Sequence, residues 1–299
     1  MAGRNETLRG TLLAGMRNRI TKGFAPLENV FRNCENPSCR QGGLLKPGWF
    51  RKKEGIYLQG QWYCSPECFE LAAGSTFHRL LPNTESSRIK KHRLPIGLLL
   101  LSRGMINSDQ LKHALALQQE SGRGRIGKFL RQIKAVSERD ITDGLAAQWG
   151  CPVYPLGRAR EFMQCGKLLP FALLESGLML PVHHLRLQQT LYLAFVEGVD
   201  RTALYAVEQM LRMRTIPCIV SESELAEALE LLRKTEGALT TVFESPSEPL
   251  EMARTARSYA WQLGAKEVWI ARTGRFIWIR LLTPQEHKDI LFQSLGEVQ

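Results

Sequence analysis

Residues 96–118 read IGLLLLSRGMINSDQLKHALALQ, and residues 126–148 read IGKFLRQIKAVSERDITDGLAAQ. The second stretch repeats the first at an offset of thirty residues, because each opens with Ile-Gly, has leucine at its fifth position and closes with Leu-Ala-x-Gln. A repeat of this kind indicates two copies of one supersecondary unit. The copies are expected to pack against each other, because neither can bury its apolar face alone.

Each copy of the repeat predicts a helical hairpin. A short helix begins near the glycine, a turn follows, and a second helix starts at a capping residue. Asn107 with Gln110 forms a capping-box pattern, and Ser137 with Asp140 is its near equivalent in the second copy. Apolar residues recur at helical spacing after both caps. We therefore expect residues 96–150 to form a helical subdomain of two repeats.

The segment between the copies contains Gly122, Gly124 and Gly127, which match the G-x-G-x-x-G spacing of a dinucleotide-binding loop. That loop needs a β-strand before it, whereas the preceding residues, DQLKHALALQQE, predict a helix. The spacing is therefore interpreted as coincidental. The chain also lacks the G-x-x-x-x-G-K-[ST] pattern of a P-loop, and no Ser-His-Asp order or paired-carboxylate motif stands out. We expect a protein that is not an enzyme.

The repeat resembles the N-terminal domain of type II secretion and type IV pilus assembly ATPases, the general secretory pathway protein E type. Motifs of that family open R-L-G-x-x-L, carry a second glycine seven residues after the first and close L-x-x-Q, and the family domain continues into a small α/β part. Residues 151–235 resemble that part, with the helix LLPFALLESG, the strand TLYLAFVEG, a helix through Met210, the strand IPCIV and the helix SESELAEAL. The resemblance covers about residues 93–235, under half of the chain.

Family members of the pilus-ATPase kind bind cyclic di-GMP across the two motifs, so the resemblance implies a site for this dianion with two purine faces. Guanidinium groups can pair with its phosphates or stack on guanine, and backbone N–H groups beside glycine can donate to it. The residues implied for the site are Arg93, Ile96, Gly97, Leu100, Gly104, Leu111, Gln118, Arg125, Ile126, Gly127, Leu130 and Gln148.

Two positions depart from the family pattern. Pro95 stands where the first motif should have arginine, which removes a charge and a backbone donor, and Arg93 is the candidate to substitute. Lys134 replaces the second glycine of the second motif. The alternative is a degenerate member of the fold, in which the leucines and glycines form only core and turns and the domain serves as a ligand-free scaffold that docks a pilus or secretion ATPase.

Four of the seven cysteines form two short pairs near the N-terminus, in CENPSC and CSPEC. Two pairs separated by a loop are the ligand pattern of a structural zinc site, and four thiolates leave no open position for water or substrate. The alternatives are two disulfides, which a reducing cytoplasm disfavours, and four unrelated thiols. The expected zinc ligands are Cys34, Cys39, Cys64 and Cys68. The segment WYCSPECFELAAG reads as strand, knuckle and helix and resembles a treble-clef or ribbon-type finger.

The net charge of +11 is unevenly distributed along the chain. Residues 1–92 hold 15 Lys and Arg against 7 Asp and Glu, whereas residues 93–299 hold 25 against 22. A nucleic-acid surface, if present, is expected in the first third, where KPGWFRKKEG places aromatics among basic residues. The alternative, which we favour, is that these aromatics build the small core around the metal.

The predicted fold class is α+β. It comprises a four-cysteine zinc finger, a helical two-repeat subdomain with a small α/β subdomain, and a C-terminal helix–β-hairpin–helix unit. The hairpin turns at Thr273-Gly274, PQEHKDILFQSL is the expected closing helix, and so small a unit needs a neighbour or a second copy of the chain to bury its sheet. The expected divisions are a basic helix and zinc module at 1–80, a linker at 81–95, the helical subdomain at 96–150, the α/β subdomain at 151–235, a linker at 236–250 and the C-terminal unit at 251–299.

No stretch approaches the ~20 apolar residues that a bilayer span needs, and no secretory signal is present, so we expect the cytoplasm. The leading hypothesis is a non-enzymatic regulatory or adaptor protein that senses cyclic di-GMP and acts on a protein partner such as a pilus or secretion ATPase. The alternatives are a nucleic-acid-binding protein acting through the basic zinc module, and the ligand-free scaffold. The sequence leaves the oligomeric state open.

Overall fold

A computed structural model of the chain describes residues 33–39, 55–81, 93–157, 161–234, 240–244 and 247–293. The expected N-terminal helix, the KPGWFRKKEG segment up to residue 54 and most of the first linker lie outside the described residues. The nucleic-acid hypothesis, which depends on the basic first third, therefore stays a prediction. In the described part of the chain, no helix is long and apolar enough to cross a membrane.

The described residues form ten α-helices and nine β-strands, with three consecutive strands near the end of the described chain. The helices are α1 Pro66–Leu80, α2 Ile96–Ser102, α3 Ser108–Ser121, α4 Ile126–Gln132, α5 Glu138–Trp149, α6 Phe162–Cys165, α7 Phe171–Gly177, α8 Arg201–Leu211, α9 Glu222–Arg233 and α10 Pro249–Gln262. The strands are β1 Ile56–Leu58, β2 Gln61–Tyr63, β3 Met179–Leu185, β4 Thr190–Phe195, β5 Arg214–Ile219, β6 Thr240–Phe243, β7 Glu267–Thr273, β8 Phe276–Leu282 and β9 His287–Gln293.

The two sequence repeats form two helical hairpins, α2–α3 and α4–α5, as predicted. Both expected capping boxes are present. The Asn107 side chain accepts from the Gln110 amide at 2.8 Å, and the Ser137 side chain accepts from the Asp140 amide at 3.2 Å. The hairpins pack crosswise, since α3 contacts α4 and α2 contacts α5. Each hairpin thus buries its apolar face against the other.

The α/β part that follows has the element order expected from the family resemblance. Strand β3 pairs antiparallel with β4, and β4 pairs in parallel with β5. Helices α7, α8 and α9 complete this part, and its core contains the fully buried side chains of Leu180, Leu191 and Ile219. An isolated bridge between Val153 and Ile219 connects the end of the helical repeats to strand β5.

A six-stranded sheet joins strands β1 and β2 to the four strands β6 to β9. Its strand order is β2-β1-β7-β8-β9-β6, and β1 pairs in parallel with β7, with Tyr57 opposite Glu267 and Leu58 opposite Val268. Helix α1 packs against α10. The neighbour that the C-terminal hairpin needs is therefore the segment that carries Cys64 and Cys68.

Both faces of the six-stranded sheet are covered. Side chains such as Ile270, Ile279 and Ile290 point to a core shared with α1 and α10. Trp278 and Leu291, at positions of the opposite parity, belong to the core of the α/β part. The central strands are thus buried on both sides, and the sheet docks on the α/β part through its second face.

A buried ion pair lies on that second face. Arg280 donates from Nε and Nη2 to the two carboxylate oxygens of Asp289, at 2.8 and 2.7 Å, and both side chains are almost fully buried. Trp278 Nε1 also donates to Asp289, at 2.8 Å. Arg280 Nη2 donates further to the Leu168 carbonyl at 2.8 Å, so the pair connects the sheet to the α/β part.

Two expectations about the C-terminal region need correction. The expected closing helix is wrong, because residues 287–293 form strand β9, paired antiparallel with β8. Ile290, Leu291 and Phe292 are consecutive and all buried, which a strand covered on both faces explains and an amphipathic helix does not. The segment 236–250, read from sequence as a linker, contributes β6, which pairs in parallel with β9, and the first residues of α10.

Candidate ligand site and four-cysteine cluster

The four expected zinc ligands come together in the structure. Cys34 and Cys39 flank a turn in which the Cys39 amide donates to the Asn36 carbonyl at 3.0 Å. Cys64 follows β2, and Cys68 lies in the first turn of α1, where its amide donates to the capping Ser65 hydroxyl at 3.3 Å. A turn and a strand–helix junction therefore present the two pairs to each other, as the sequence predicts.

The spacing of the four sulfur atoms suits a metal ion better than disulfides. All four Sγ atoms lie within 4.8 Å of one another, with 3.5 Å between Cys39 and Cys64 and 4.0 Å between Cys64 and Cys68. Tetrahedral ligands at ~2.3 Å from zinc are ~3.8 Å apart, whereas bonded sulfurs are ~2.0 Å apart. All four cysteines are free thiols.

The surroundings of the cluster raise the pKa of two of its thiols and lower the pKa of a third. Burial raises the pKa of the Cys34 and Cys64 thiols. Burial acts on Cys68 in the same direction and is the largest single effect, but hydrogen bonds with Asn36, Ser65, Cys34 and Cys39 together outweigh it and lower the pKa of that thiol. Asn36 Nδ2 donates to Cys68 Sγ at 3.2 Å, which is the kind of outer hydrogen bond that orients a metal ligand.

The glycines of the two motifs are positions of close helix packing. A Cβ at Gly97 would lie 2.8 Å from Leu111 Cδ1, and one at Gly144 would lie 2.8 Å from Ile96 Cδ1. A Cβ at Gly127 would stand 3.4 Å from Ile141. Since these contacts join α2 to α3 and α5, and α4 to α5, the glycines allow the short helices to approach the long ones.

The leucines named for the ligand site lie in the core between the hairpins. Leu100 and Leu130 are 0 % exposed, and Leu111 is 9 % exposed. Ile96 and Ile126 are half-buried beside them. The structure therefore places these leucines where they hold the two hairpins together, away from solvent.

The closing glutamines of the two motifs make equivalent, reciprocal hydrogen bonds. Gln118 Nε2 donates to the Gly124 carbonyl at 2.8 Å, just before the second motif, and Gln148 Nε2 donates to the Leu94 carbonyl at 2.6 Å, just before the first. The repeat offset of thirty relates the two bonds: Gln118 corresponds to Gln148, and Gly124 corresponds to Leu94. A contact that maps onto itself when the motifs are exchanged indicates a local pseudo-twofold axis between them.

Arg93 is anchored at the end of the second motif. Its guanidinium carbon lies 3.7 Å from the centroid of a Trp149 ring, and its Nη1 donates to the Gln148 carbonyl at 3.1 Å. This is a stacked cation on an aromatic face. Arg93, the candidate to substitute for the family's arginine, thus reaches across from the first motif to the second.

Arg125 reaches from the second motif to the α/β part. Its Nη2 forms an ion pair with the Glu197 carboxylate, and its Nη1 donates to the Glu197 carbonyl at 3.3 Å. The next residue, Gly198, lies against Trp149, since a Cβ there would be 2.6 Å from the ring. Through Trp149 and the Glu197-Gly198 loop, Arg93 and Arg125 are parts of one contiguous cluster.

The second glycine of the motif marks a turn of the same shape in both copies. Gly104 has φ +69° and is exposed, with open space where a Cβ would stand. Lys134, its equivalent, has φ +57°. The lysine therefore keeps the left-handed turn of the motif without glycine, a conformation that costs a non-glycine residue about 1–2 kcal/mol.

Three residues of this cluster were missed by sequence reasoning. Trp149 directly follows the closing glutamine, so its proximity to the motif was available in the sequence. Glu197 and Gly198 lie in the loop between β4 and α8, and no signal in the repeat points to them. They reach the motifs only because the α/β part packs beside the hairpins.

The comparisons with known proteins each match a little under half of this chain. A curated relative is the type IV pilus assembly ATPase PilB of Myxococcus xanthus, which is 32 % identical over 135 residues, 45 % of this chain and 23 % of PilB. Among solved structures, one of MshE with cdg aligns at a TM-score of 0.41 and 28 % identity, over 47 % of this chain and 99 % of that chain. The N-terminal domain of XpsE aligns at 0.33 and 26 %, over 45 % and 91 %. No family model matches the chain.

The match to PilB extends over 135 residues of this chain. The aligned part spans under a quarter of the length of PilB, so the comparison concerns one domain and not the whole relative. Close to half of this chain is therefore similar to a part of a type IV pilus assembly ATPase.

Proposed function

We propose that this protein is a non-enzymatic adaptor whose two-motif domain binds cyclic di-GMP. The observation that carries the proposal is the reciprocal arrangement of the motifs, in which Gln118 and Gln148 each donate to the backbone carbonyl just before the other motif. Cyclic di-GMP is itself twofold symmetric, with two phosphates and two guanines. A pseudo-twofold protein surface can offer each half of such a ligand a similar set of groups.

The charged groups near the motifs have the chemistry that the ligand requires. The Arg125 side chain is 65 % exposed, and its guanidinium already makes a two-point contact with an anionic residue. Arg93 stacks on Trp149, and a stacked guanidinium–indole pair presents flat surfaces on which guanine can stack. We propose that Arg125 binds phosphate and that Arg93 and Trp149 contact a base.

The proposed partner is an ATPase of the pilus or secretion kind. The chain resembles one domain of PilB, by name an assembly ATPase, and its sequence contains no P-loop pattern. We propose that this domain associates with a motor on another chain. Ligand binding would then bias the packing of the hairpins against the α/β part and change that association.

Titration calorimetry on the purified protein tests the ligand. We expect saturable heat on the order of tens of micromolar cyclic di-GMP or below. Arg125→Ala should weaken binding by roughly 10- to 100-fold, the loss expected from one or two charge-assisted hydrogen bonds. Arg139→Ala is the matched control, because Arg139 is an exposed arginine of the same motif paired with Asp143. An absence of heat, or equal losses in both variants, would reject the proposal.

We also propose that the four-cysteine cluster holds a structural zinc ion. Sulfur spacing near the tetrahedral value and the hydrogen bond from Asn36 to Cys68 support a closed, fully protein-ligated site. Metal analysis should find close to one zinc per chain. Retained zinc in a Cys34→Ser, Cys39→Ser double variant would contradict this assignment.

A further inference from the structure

The guanidinium of Arg125 is paired with Glu197, a residue of the same chain. Glu197 gives its carboxylate to Nη2 and its backbone carbonyl to Nη1, so two donors of one guanidinium are taken by one residue. Two parallel acceptors on one guanidinium are also the way in which arginine binds a phosphate group. Glu197 thus resembles an anionic ligand at this arginine.

The loop that carries Glu197 is held firmly on both sides. Val196 and Val199 are buried in the core of the α/β part. Gly198 lies against Trp149 with φ +141°, a backbone conformation that side chains rarely adopt. Asp200 caps helix α8, accepting from the Thr202 and Ala203 amides at 2.8 and 3.1 Å. The placement of the carboxylate is therefore built into the fold.

We infer that Glu197 is an internal competitor that cyclic di-GMP must displace from Arg125. This inference rests on the proposed function. The Arg125 and Glu197 side chains are 65 % and 40 % exposed, so the ion pair is screened by solvent and weak enough for a phosphate to replace it. The carboxylate lowers the affinity of the site without closing it.

Displacement of Glu197 also has a route to the rest of the molecule. The Glu197–Asp200 loop leads directly into α8, and α8 packs against β7 of the six-stranded sheet. A ligand that releases Glu197 therefore acts on the element that lies between the two-motif domain and the terminal unit. The competitor thus provides regulation as well as a limit on affinity.

A different role for Glu197 makes the opposite prediction. A carboxylate beside an arginine could accept from the N1–H and N2–H donors of guanine, and Glu197 would then contribute to binding. Removal of its charge would weaken the complex in that case. The direction of the change in affinity therefore separates a competitor from a guanine-reading group.

The experiment compares the wild type with Glu197→Gln in cyclic di-GMP calorimetry. Loss of an exposed ion pair should tighten binding by about fivefold. Glu175→Gln is the matched control, because Glu175 is a half-exposed carboxylate paired with Arg233 on α7 and α9 and carries the same charge. It should change the dissociation constant by less than about twofold. Hydrogen exchange of residues 196–199 should rise when ligand is added to the wild type.

The outcomes separate this inference from the proposed function. Tighter binding by Glu197→Gln, or binding by that variant alone, supports the competitor. Equal or weaker binding by the variant, or ligand binding without a change in loop exchange, overturns the competitor and leaves the cyclic di-GMP site in place. If neither the wild type nor Glu197→Gln gives binding heat, both the competitor role and the proposed cyclic di-GMP site are rejected.

Discussion

Arg125 and Trp149 show how single side chains join parts of this chain that are distant in sequence. Arg125 is the N-cap residue of α4, and its side chain pairs with Glu197, more than seventy positions later in the sequence. Trp149 is the last residue of α5. Its ring stacks with the guanidinium of Arg93 and lies against the backbone at Gly198. The cluster formed by these residues lies where both hairpins meet the α/β part.

At the residue scale, Gly198→Ala tests the packing of the loop against Trp149. We expect a loss of about 2–4 kcal/mol of unfolding free energy, because the new Cβ meets the ring at 2.6 Å and the φ of +141° disfavours any side chain. Urea unfolding measures it. Gly264→Ala is the control, since φ there is +63° but the space is open, and about 1 kcal/mol is expected. Equal losses of unfolding free energy in the two variants would show that the contact with the Trp149 ring does not contribute to the cost of Gly198→Ala.

At the element scale, the two hairpins are more alike than their sequences. The left-handed turn persists although Gly104 becomes Lys134, and the capping box persists although Gln110 becomes Asp140. The closing glutamines keep the same reciprocal bond in both directions. Backbone geometry and hydrogen bonds thus define the repeat where residue identity does not.

Single Gln118→Ala and Gln148→Ala variants test this reciprocity. Each loses one partly exposed hydrogen bond to a backbone carbonyl, so each should lower the unfolding free energy by about 1 kcal/mol, and the two losses should be similar. Chemical denaturation provides the measurement, with Gln119→Ala, an exposed neighbour on the same helix, as the control. A cost confined to one of the two sites would contradict the pseudo-twofold arrangement.

At the scale of the whole molecule, elements near residues 250–293 pack against elements at residues 56–80. Strand β1 pairs with β7, α1 packs on α10, and Cys34, Cys39 and Cys64 pack against the core that these elements share. The other face of the sheet docks on the α/β part, with Arg280 bonded to the Leu168 carbonyl. The cysteine cluster is therefore part of the C-terminal fold.

Removal of metal should consequently affect residues far from the cysteines in sequence. We expect a chelator to increase hydrogen exchange in β7, β8 and β9 and to lower the melting temperature, because the ligand-bearing turn and α1 support their core. Exchange in α2–α5 should change little, since the repeats have a core of their own. The control adds excess zinc with the chelator. Unchanged protection of the three strands would contradict this coupling.

Local patterns in the sequence predict much of this protein. The thirty-residue repeat, both capping boxes, the two cysteine pairs and the strand–helix order after the repeat depend on neighbours a few residues apart, and all are found in the structure. Propensity, capping and turn chemistry act over such short distances, so the sequence alone contains them.

Tertiary structure alone decides what lies between distant segments. Residues 287–293 become a strand because a sheet with a helical layer on one face and the α/β part on the other buries consecutive apolar residues, and a helical pattern in the sequence does not outweigh that burial. The pairing of β1 with β7 and the approach of Glu197 to Arg125 have no local signal. Both arise from packing between elements, whose free energy depends on the whole fold and not on any short stretch of chain.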